Sequence, residues 1–509
     1  MRLPIGVQTF TEIRERDLLY IDKTESISKI LRSGKYFFLS RPRRFGKSLL
    51  LSTMKSLYSC EKELFKDLWI YDNWNWQKKH PVLHISFSSI GYRELGLEVA
   101  INQELDDIAR QIGVSFQKEG ISQKFKSIIQ TLSKKEKVVV LIDEYDKPII
   151  DYLEDLPQAK ANRSILKTFY SVLKDSDAYL ELVFITGVSR FAKTSIFSDL
   201  NNLTNITIHP LSDTLLGITE QELDHYFGAK IADIATEQSR STTDLKAAIK
   251  NWYNGYSWNG EDRVYNPISL FHFLSTQRFR NYWFETGSPT FLIKLMRKKK
   301  YYNIQQTQIS DTTLAAYDLE NFNMTSLLFQ TGYLTIKDVF QDSIFTLDYP
   351  NQEVKLSLEE YLLNAFRHDD FEKGKIKALE LSRALQQHDY ENFTNIINAT
   401  FATIPYQLWQ KENEAFYHAL IHLTFSLMGA FVQSEVNSSN GRLDAKIETE
   451  DSLFILEFKL DQSAEEAIKQ IAEKQYFQAY QDINKKRIGI GINFSSAQKE
   501  VANWVVKNF

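Results

Sequence analysis

A run of five aliphatic residues, Val138-Val139-Val140-Leu141-Ile142, stops at two acids, Asp143 and Glu144. The run is too short for a buried helix. It reads as a strand covered on both faces, which is the environment of a parallel sheet flanked by helices. Carboxylates at the C-terminal end of such a strand lie where open α/β sheets hold ligands. Residues 36–39, 82–87 and 182–186 are further short runs of β-branched, aromatic and aliphatic residues, and helical patterns such as 49–58 and 161–174 lie between them. Strand–helix alternation up to about residue 210 implies an α/β layer architecture with a parallel sheet.

The first run leads into Ser40-Arg41-Pro42-Arg43-Arg44-Phe45-Gly46-Lys47-Ser48-Leu49. A strand, a loop ending Gly-Lys-Ser and a helix form the context in which main-chain N–H groups and the helix N-terminus cradle a polyphosphate. In this reading Lys47 neutralises β/γ oxygens, Ser48 ligates Mg²⁺, and Gly46 lets the backbone approach closely. Arg41 stands where the usual motif has its first glycine, so the loop geometry there must differ or Arg41 must tolerate it. Asp143 would hold Mg²⁺, mostly through water, and Glu144 would polarise the attacking water. Thr186, at the end of the run 182–186, is the candidate to sense the γ-phosphate, with Ser189 second. Arg190 is either an arginine finger in cis or a surface residue. Arg43 and Arg44 face phosphate, a neighbouring subunit or solvent.

The character then changes. Residues 211–400 are mostly helical, with one strand-like pair at 333–336 and 344–347 preceded by a helical segment at 326–329, a pattern that suits a small winged-helix unit. From 401 the order reads helix, three strands (near 431–436, 441–448 and 452–460), helix and a final strand at 488–492 that closes the domain. The last helix carries Ala464, Ala467, Ile468, Ile471 and Ala479 on one face. The expected division is therefore 1–210, 211–400 and 401–509, matching a loose prior of roughly 150 residues per domain.

Within the last part, Asp444 is expected to begin one strand. Glu457 and Lys459 stand at i and i+2 on the next, hence on one face. Two carboxylates with the Phe458 carbonyl make a hard-oxygen site for Mg²⁺ or Mn²⁺. Lys459 would orient, or help deprotonate, water attacking a phosphodiester.

Composition limits the alternatives. Lys plus Arg number 61 against 65 Asp plus Glu, a net charge of −4, so any polyanion site must be local. Glycine (19) and proline (10) are scarce in 509 residues, which argues against disorder. Cys60 is the single cysteine, so neither an internal disulfide nor a cysteine zinc cage can form. With no apolar leader at the N-terminus and no run of eighteen apolar residues, a cytoplasmic protein without a membrane span is expected.

Several segments, in order, resemble the bacterial AAA-ATPase-like proteins: Leu3-Pro4-Ile5-Gly6, Tyr20-Ile21-Asp22-Lys23-Thr24, the loop Ser40 to Ser48 with its Arg41, Asp143-Glu144-Tyr145-Asp146-Lys147-Pro148, Thr186-Gly187-Val188-Ser189-Arg190-Phe191, Tyr253-Asn254-Gly255-Tyr256 and Tyr265-Asn266-Pro267. The resemblance covers roughly the first 290 residues. It implies an additional-strand P-loop NTPase with a helical lid, a nucleotide held by Arg43, Arg44, Phe45, Gly46, Lys47, Ser48, Asp143 and Thr186, and residues 20–24 near the adenine. Residues 405–495 resemble the small PD-(D/E)XK nuclease domain, of restriction-endonuclease-like α/β fold, often fused to these ATPases. That resemblance carries over Asp444, Glu457 and Lys459 as the core, with Glu435 and Gln470 as accessories and Tyr476 completing the Gln–Tyr element on the following helix. The expected activity is Mg²⁺-dependent ATP hydrolysis coupled to a metal-dependent nuclease-like domain acting on nucleic acid, DNA ahead of RNA, in a chain able to form a homo-oligomer. The alternative is a nucleotide-dependent signalling switch with a non-cleaving C-terminal binding module.

Overall fold

The fold is described from a computed structural model of the chain. The structure describes residues 2–116, 120–189, 196–197, 200–284, 292–293, 295–296, 307–315, 323–341, 343–367, 373–402, 432–438, 441–449, 451–481 and 484–509, with side chains omitted at 363–379, 432–443 and 479. It falls into two compact units, one of residues 1–286 and 304–353, the other of residues 287–303 and 354–509.

The first unit is built on five strands: β1 (Tyr36–Ser40), β2 (Val82–Ser86), β3 (Val138–Asp143), β4 (Leu180–Gly187) and β5 (Thr204–Asn205). Their order is β2-β3-β4-β1-β5, and every pair is parallel. Strand β4 lies between β1 and β3, so the loop after β1 and the acids after β3 flank an inserted strand, as the additional-strand class requires. All residues of β1 and β3 are buried, the environment that their unbroken apolar runs imply. Strand β5 is only two residues long and carries no sequence signal.

Three capped helices form the lid. Glu220–Glu237 opens with a capping box between Thr219 and Glu222, Thr242–Tyr253 with Ser241, and Pro267–Thr276 with Asn266 followed by Pro267. They share a core of Leu223, Phe227, Ile231, Leu245, Ile249 and Phe273, against which Leu3, Ile5, Leu19 and Ile21 of the N-terminal segments pack. The same unit then holds β6 (Thr307–Ser310), helices Asp311–Ala315 and Met324–Thr331, and the hairpin β7 (Thr335–Phe340) and β8 (Ile344–Asp348). The antiparallel order β6-β8-β7 is that of a winged helix. Two corrections apply. The first hairpin strand begins at Thr335 rather than 333, because the chain leaves the helix through Gly332. Strand β6 carries no strand signal in the sequence, because Thr307-Gln308-Ile309-Ser310 offers a single apolar residue.

The second unit carries a mixed sheet of β9 (Val432–Ser438), β10 (Gly441–Glu448), β11 (Ser452–Leu460), β12 (Lys486–Ser495) and β13 (Glu500–Asn508), ordered β13-β12-β11-β10-β9. Only β11 and β12 run parallel. Helix Ala464–Glu473 supplies their crossover and packs Ile468 and Ile471 onto Leu453 and Ile455. Three expectations are corrected. The strand at 488–492 does not close the domain, since β13 pairs beyond it. The helix stops at Glu473, so Tyr476 and Ala479 lie past its end. Asp444 sits inside β10 rather than at its start. The helix expected between 401 and the first strand of this unit lies outside the described residues, as does Arg190.

Candidate functional site

The phosphate loop leaves β1 and enters helix Lys47–Tyr58 through Gly46, whose φ of 91° is left-handed. Arg44 is the other left-handed residue of the loop, at φ 68°. Position 41 is not left-handed, so glycine is not needed there. The Arg41 side chain instead turns inward and is 1% exposed. Its Nη1 donates to the carbonyls of Ser40 (2.9 Å) and Thr207 (2.8 Å), and its Nη2 to the carbonyl of Ser212 (2.7 Å) and to Ser212 Oγ (3.2 Å). The guanidinium carbon lies 3.8 Å from the Trp258 ring centroid. Arg41 therefore anchors the loop from behind.

Lys47 is buried. Its Nζ donates to the carbonyls of Arg41 (2.8 Å) and Pro42 (2.9 Å). Burial pushes this ammonium down, while the carboxylates of Asp143, Asp146 and Glu144 pull it back up. Ser48 Oγ donates to Asp143 Oδ2 at 2.6 Å, and Thr186 Oγ1 donates to Asp143 Oδ1 at 2.7 Å. Two residues chosen from the sequence, Ser48 and Thr186, thus meet on the carboxylate of a third, Asp143. Glu144, next to it, has a φ of 51°, a conformation uncommon for a residue with a side chain. Its Oε2 is buried without a hydrogen bond, with Lys147 Nζ 3.7 Å away. Arg43 is exposed and Arg44 half-buried. The Phe45 ring packs edge-on to Tyr256 (4.7 Å) and Trp258 (5.6 Å), so its side chain is packing and only its backbone is left for a ligand. Tyr20 is committed likewise, its hydroxyl 3.3 Å from Thr53 Oγ1 and its ring against Phe10.

Asp146 carries a role that the sequence did not assign. It is 1% exposed and accepts from the Val188 N–H (3.2 and 3.1 Å), the Ser189 N–H (2.5 Å) and Ser189 Oγ (2.5 Å). It ties the segment after β3 to the segment after β4, two residues beyond Thr186. Ser189, the second sensor candidate, is thereby occupied. The only clue was its membership of the segment Asp143 to Pro148.

In the second unit, the pairing of Ala445 with Leu456 sets Asp444 beside Glu457 across two antiparallel strands. Asp444 Oδ2 accepts the Phe458 N–H at 2.8 Å. Glu457 is 2% exposed, and its Oε2 has no hydrogen-bond partner. Burial, then the Asp444 charge, pushes its carboxyl up to about 8. Lys459 Nζ lies 3.8 Å from Glu457 Oε1 and donates to Gln470 Oε1 at 2.5 Å. Gln470 Nε2 donates in turn to Glu457 Oε1 and reaches the Tyr476 hydroxyl at 3.4 Å. Gln470 thus bridges the acid and the base. Glu435 lies on β9, its side chain outside the described residues.

Among the described residues no three His, Cys, Asp or Glu side chains cluster into a ready-made metal cage. Each site offers another hard-oxygen set instead: Ser48 Oγ with Asp143, and Asp444 with Glu457. An orphaned buried oxygen on Glu457 beside a second carboxylate fits a hard divalent cation. Among the described residues no helix is long and apolar enough to cross a membrane.

Both ends of the chain match known protein families. A family described as Predicted AAA-ATPase matches residues 4–197, and the PD-(D/E)XK nuclease superfamily matches residues 412–504. An uncharacterized protein in the vnfD 5' region of Azotobacter chroococcum mcd 1 is 35% identical over 523 residues, covering 100% of this chain and 99% of that protein. The chain accordingly belongs to the AAA-ATPase-like family and bears a PD-(D/E)XK nuclease superfamily domain at its C-terminal end.

Proposed function

We propose that this protein binds and hydrolyses ATP with Mg²⁺ and couples that cycle to a metal-dependent nuclease-like domain acting on nucleic acid, DNA ahead of RNA. One observation carries the reading: a single chain holds two separate clusters of phosphate-directed chemistry, one in each compact unit. In functional terms we divide it into an ATP-handling part (1–210), a helical and winged-helix part (211–400) and a nuclease-like part (401–509), working in a reducing bacterial cytoplasm. Homo-oligomers are part of the proposal, with Arg43 and Arg44 as the residues to test at a subunit boundary.

In the first part Lys47 neutralises β/γ-phosphate oxygens, and the loop N–H groups with the helix N-terminus hold the remainder. Glu144 holds the proton of the attacking water. Thr186 fixes the rotamer of Asp143 through its 2.7 Å hydrogen bond and so orients the carboxylate toward Ser48. In the last part Lys459, set by Gln470, orients water against a phosphodiester. Ser48 and Asp143 would hold Mg²⁺, and Asp444, Glu457 and the Phe458 carbonyl a second Mg²⁺ or Mn²⁺; such ions supply charge neutralisation at phosphate and lower the pKa of water.

ATP turnover in Lys47→Ala and Glu144→Gln tests the first half, and both are expected to fall at least about 100-fold. Turnover equal to wild type would remove the ATPase assignment. Nicking of plasmid DNA with Mn²⁺, compared between wild type and Lys459→Ala, tests the second. Equal activity in the two, or none on any DNA or RNA, would remove the nuclease assignment.

A further inference from the structure

The helix before the hairpin of a winged helix is the helix that helix-turn-helix relatives lay in the DNA major groove. Here that helix, Met324–Thr331, has no free face for it: Met324 to Gln330 are all buried. It is spent on the phosphate loop. Phe329 and Gln330 line a small cavity together with Ser40, Arg41, Pro42 and Trp258. Gly332, which caps the helix at φ 90°, lies so close to Pro42 that an added Cβ would stand 2.6 Å from Pro42 Cβ and 3.2 Å from Trp283 Cζ2. Trp283 Nε1 donates to the Arg43 carbonyl at 3.2 Å, across 240 positions of sequence. The Trp283 main-chain N–H is itself held by Glu353 Oε1 at 2.9 Å, and its ring lies 5.2 Å from that of Tyr333. Arg41 and Phe45 meet Trp258, as described above. Four of the five residues from Arg41 to Phe45 are therefore touched by lid or winged-helix residues, and Lys47 is positioned by the carbonyls of two of them.

We propose that the winged-helix unit, together with Trp283 of the segment that precedes it, is a clamp that sets the phosphate loop, with Trp283 as the positioning residue, and that it does not read DNA. The loop's peptide planes are held in place before nucleotide arrives, so less ordering is left to be done on binding. By linkage, nucleotide in the loop must in turn tighten the seating of helix Met324–Thr331. This rests on the reading of the loop as an ATP site, and the experiment separates the two.

Fluorescent-ATP affinity is measured on the full chain for wild type, Lys47→Ala, Trp283→Phe and Trp504→Phe, together with each melting temperature. Trp283→Phe keeps an aromatic ring and removes the N–H donor together with part of the buried indole. Its Kd should rise about fivefold, the worth of one such hydrogen bond, with the chain still folded and melting well above the assay temperature. Trp504→Phe, on β13, should match wild type. Hydrogen exchange of residues 324–332 should slow with ATP and stay unchanged with DNA. A wild-type or tighter Kd in Trp283→Phe overturns the clamp, as does protection of 324–332 by DNA without ATP. A wild type that binds no better than Lys47→Ala overturns the ATP site itself, and the clamp with it.

Discussion

Replacing Asp146 by asparagine isolates one feature of the ATP-handling unit at nearly constant volume. The carboxylate accepts two short hydrogen bonds from Ser189 and a longer, shared one from Val188. Hydrogen bonds to a charged acceptor contribute about 1.5–3 kcal/mol against about 1 kcal/mol for neutral pairs, so the two short bonds together lose about 2 kcal/mol. The new NH₂ group, facing the Val188 N–H, adds about 1 kcal/mol of lost pairing. Burial, which pushes the Asp146 carboxyl above the ordinary range, acts in the opposite direction, because a neutral amide escapes that penalty. The net expected cost is about 2 kcal/mol, localised at the exit of β4. At a factor of ten per 1.4 kcal/mol, amide exchange of Val188 and Ser189 should accelerate about 30-fold, while that of β12 in the other unit should not change. Hydrogen-exchange mass spectrometry on peptides spanning 183–189 reads this directly. Acceleration below threefold would show that Asp146 does not hold this segment.

Three further outcomes follow from the same geometry. Gln470→Ala removes the bridge between Glu457 and Lys459, so Mn²⁺ affinity measured by electron paramagnetic resonance should drop about 10- to 100-fold; an unchanged affinity would make Gln470 a bystander. Glu457 sits at about 8 in the folded chain, above its unfolded value, so the folded protein binds more protons between about pH 4 and 8. Its contribution to metal-free stability is therefore present at low pH and lost as pH rises through 8. Mn²⁺, which needs the carboxylate, should bind about tenfold tighter per pH unit up to 8 and then level off, whereas a flat titration from pH 6 to 9 would contradict the buried-acid account. Arg41→Lys cannot reproduce a fork that reaches Ser40, Thr207 and Ser212 at once, so it should cost about 3 kcal/mol in urea unfolding of the first unit; a midpoint equal to wild type would show that the buried fork is dispensable.

Local patterning alone settled a good deal. The unbroken apolar runs at 36–39 and 138–142 demanded strands covered on both faces, and both are fully buried. Gly-Lys-Ser after one strand and Asp-Glu after another selected the residues that meet at Asp143, because those motifs act through backbone geometry only a few residues long. The i, i+2 spacing of Glu457 and Lys459 put both on one sheet face for the same reason. Local pattern is silent where stability comes from elsewhere in the chain. Strand β6 has little apolar character of its own and exists because β8 pairs with it. Strand β13 was hidden because its residues, lying at a sheet edge, are half exposed.

Tertiary contact decided the rest. Nothing local says that Arg41 turns inward onto Trp258, that Asp146 collects its donors from Val188 and Ser189, or that Trp283 holds the Arg43 carbonyl. Each of these is a polar group leaving water, and its cost is met mainly by partners between 42 and 240 positions away. Which residues gather at Asp143 and at Glu457 was written in short segments. What shape the loop takes around them, and which helix is given up to keep that shape, depended on distant elements closing over it.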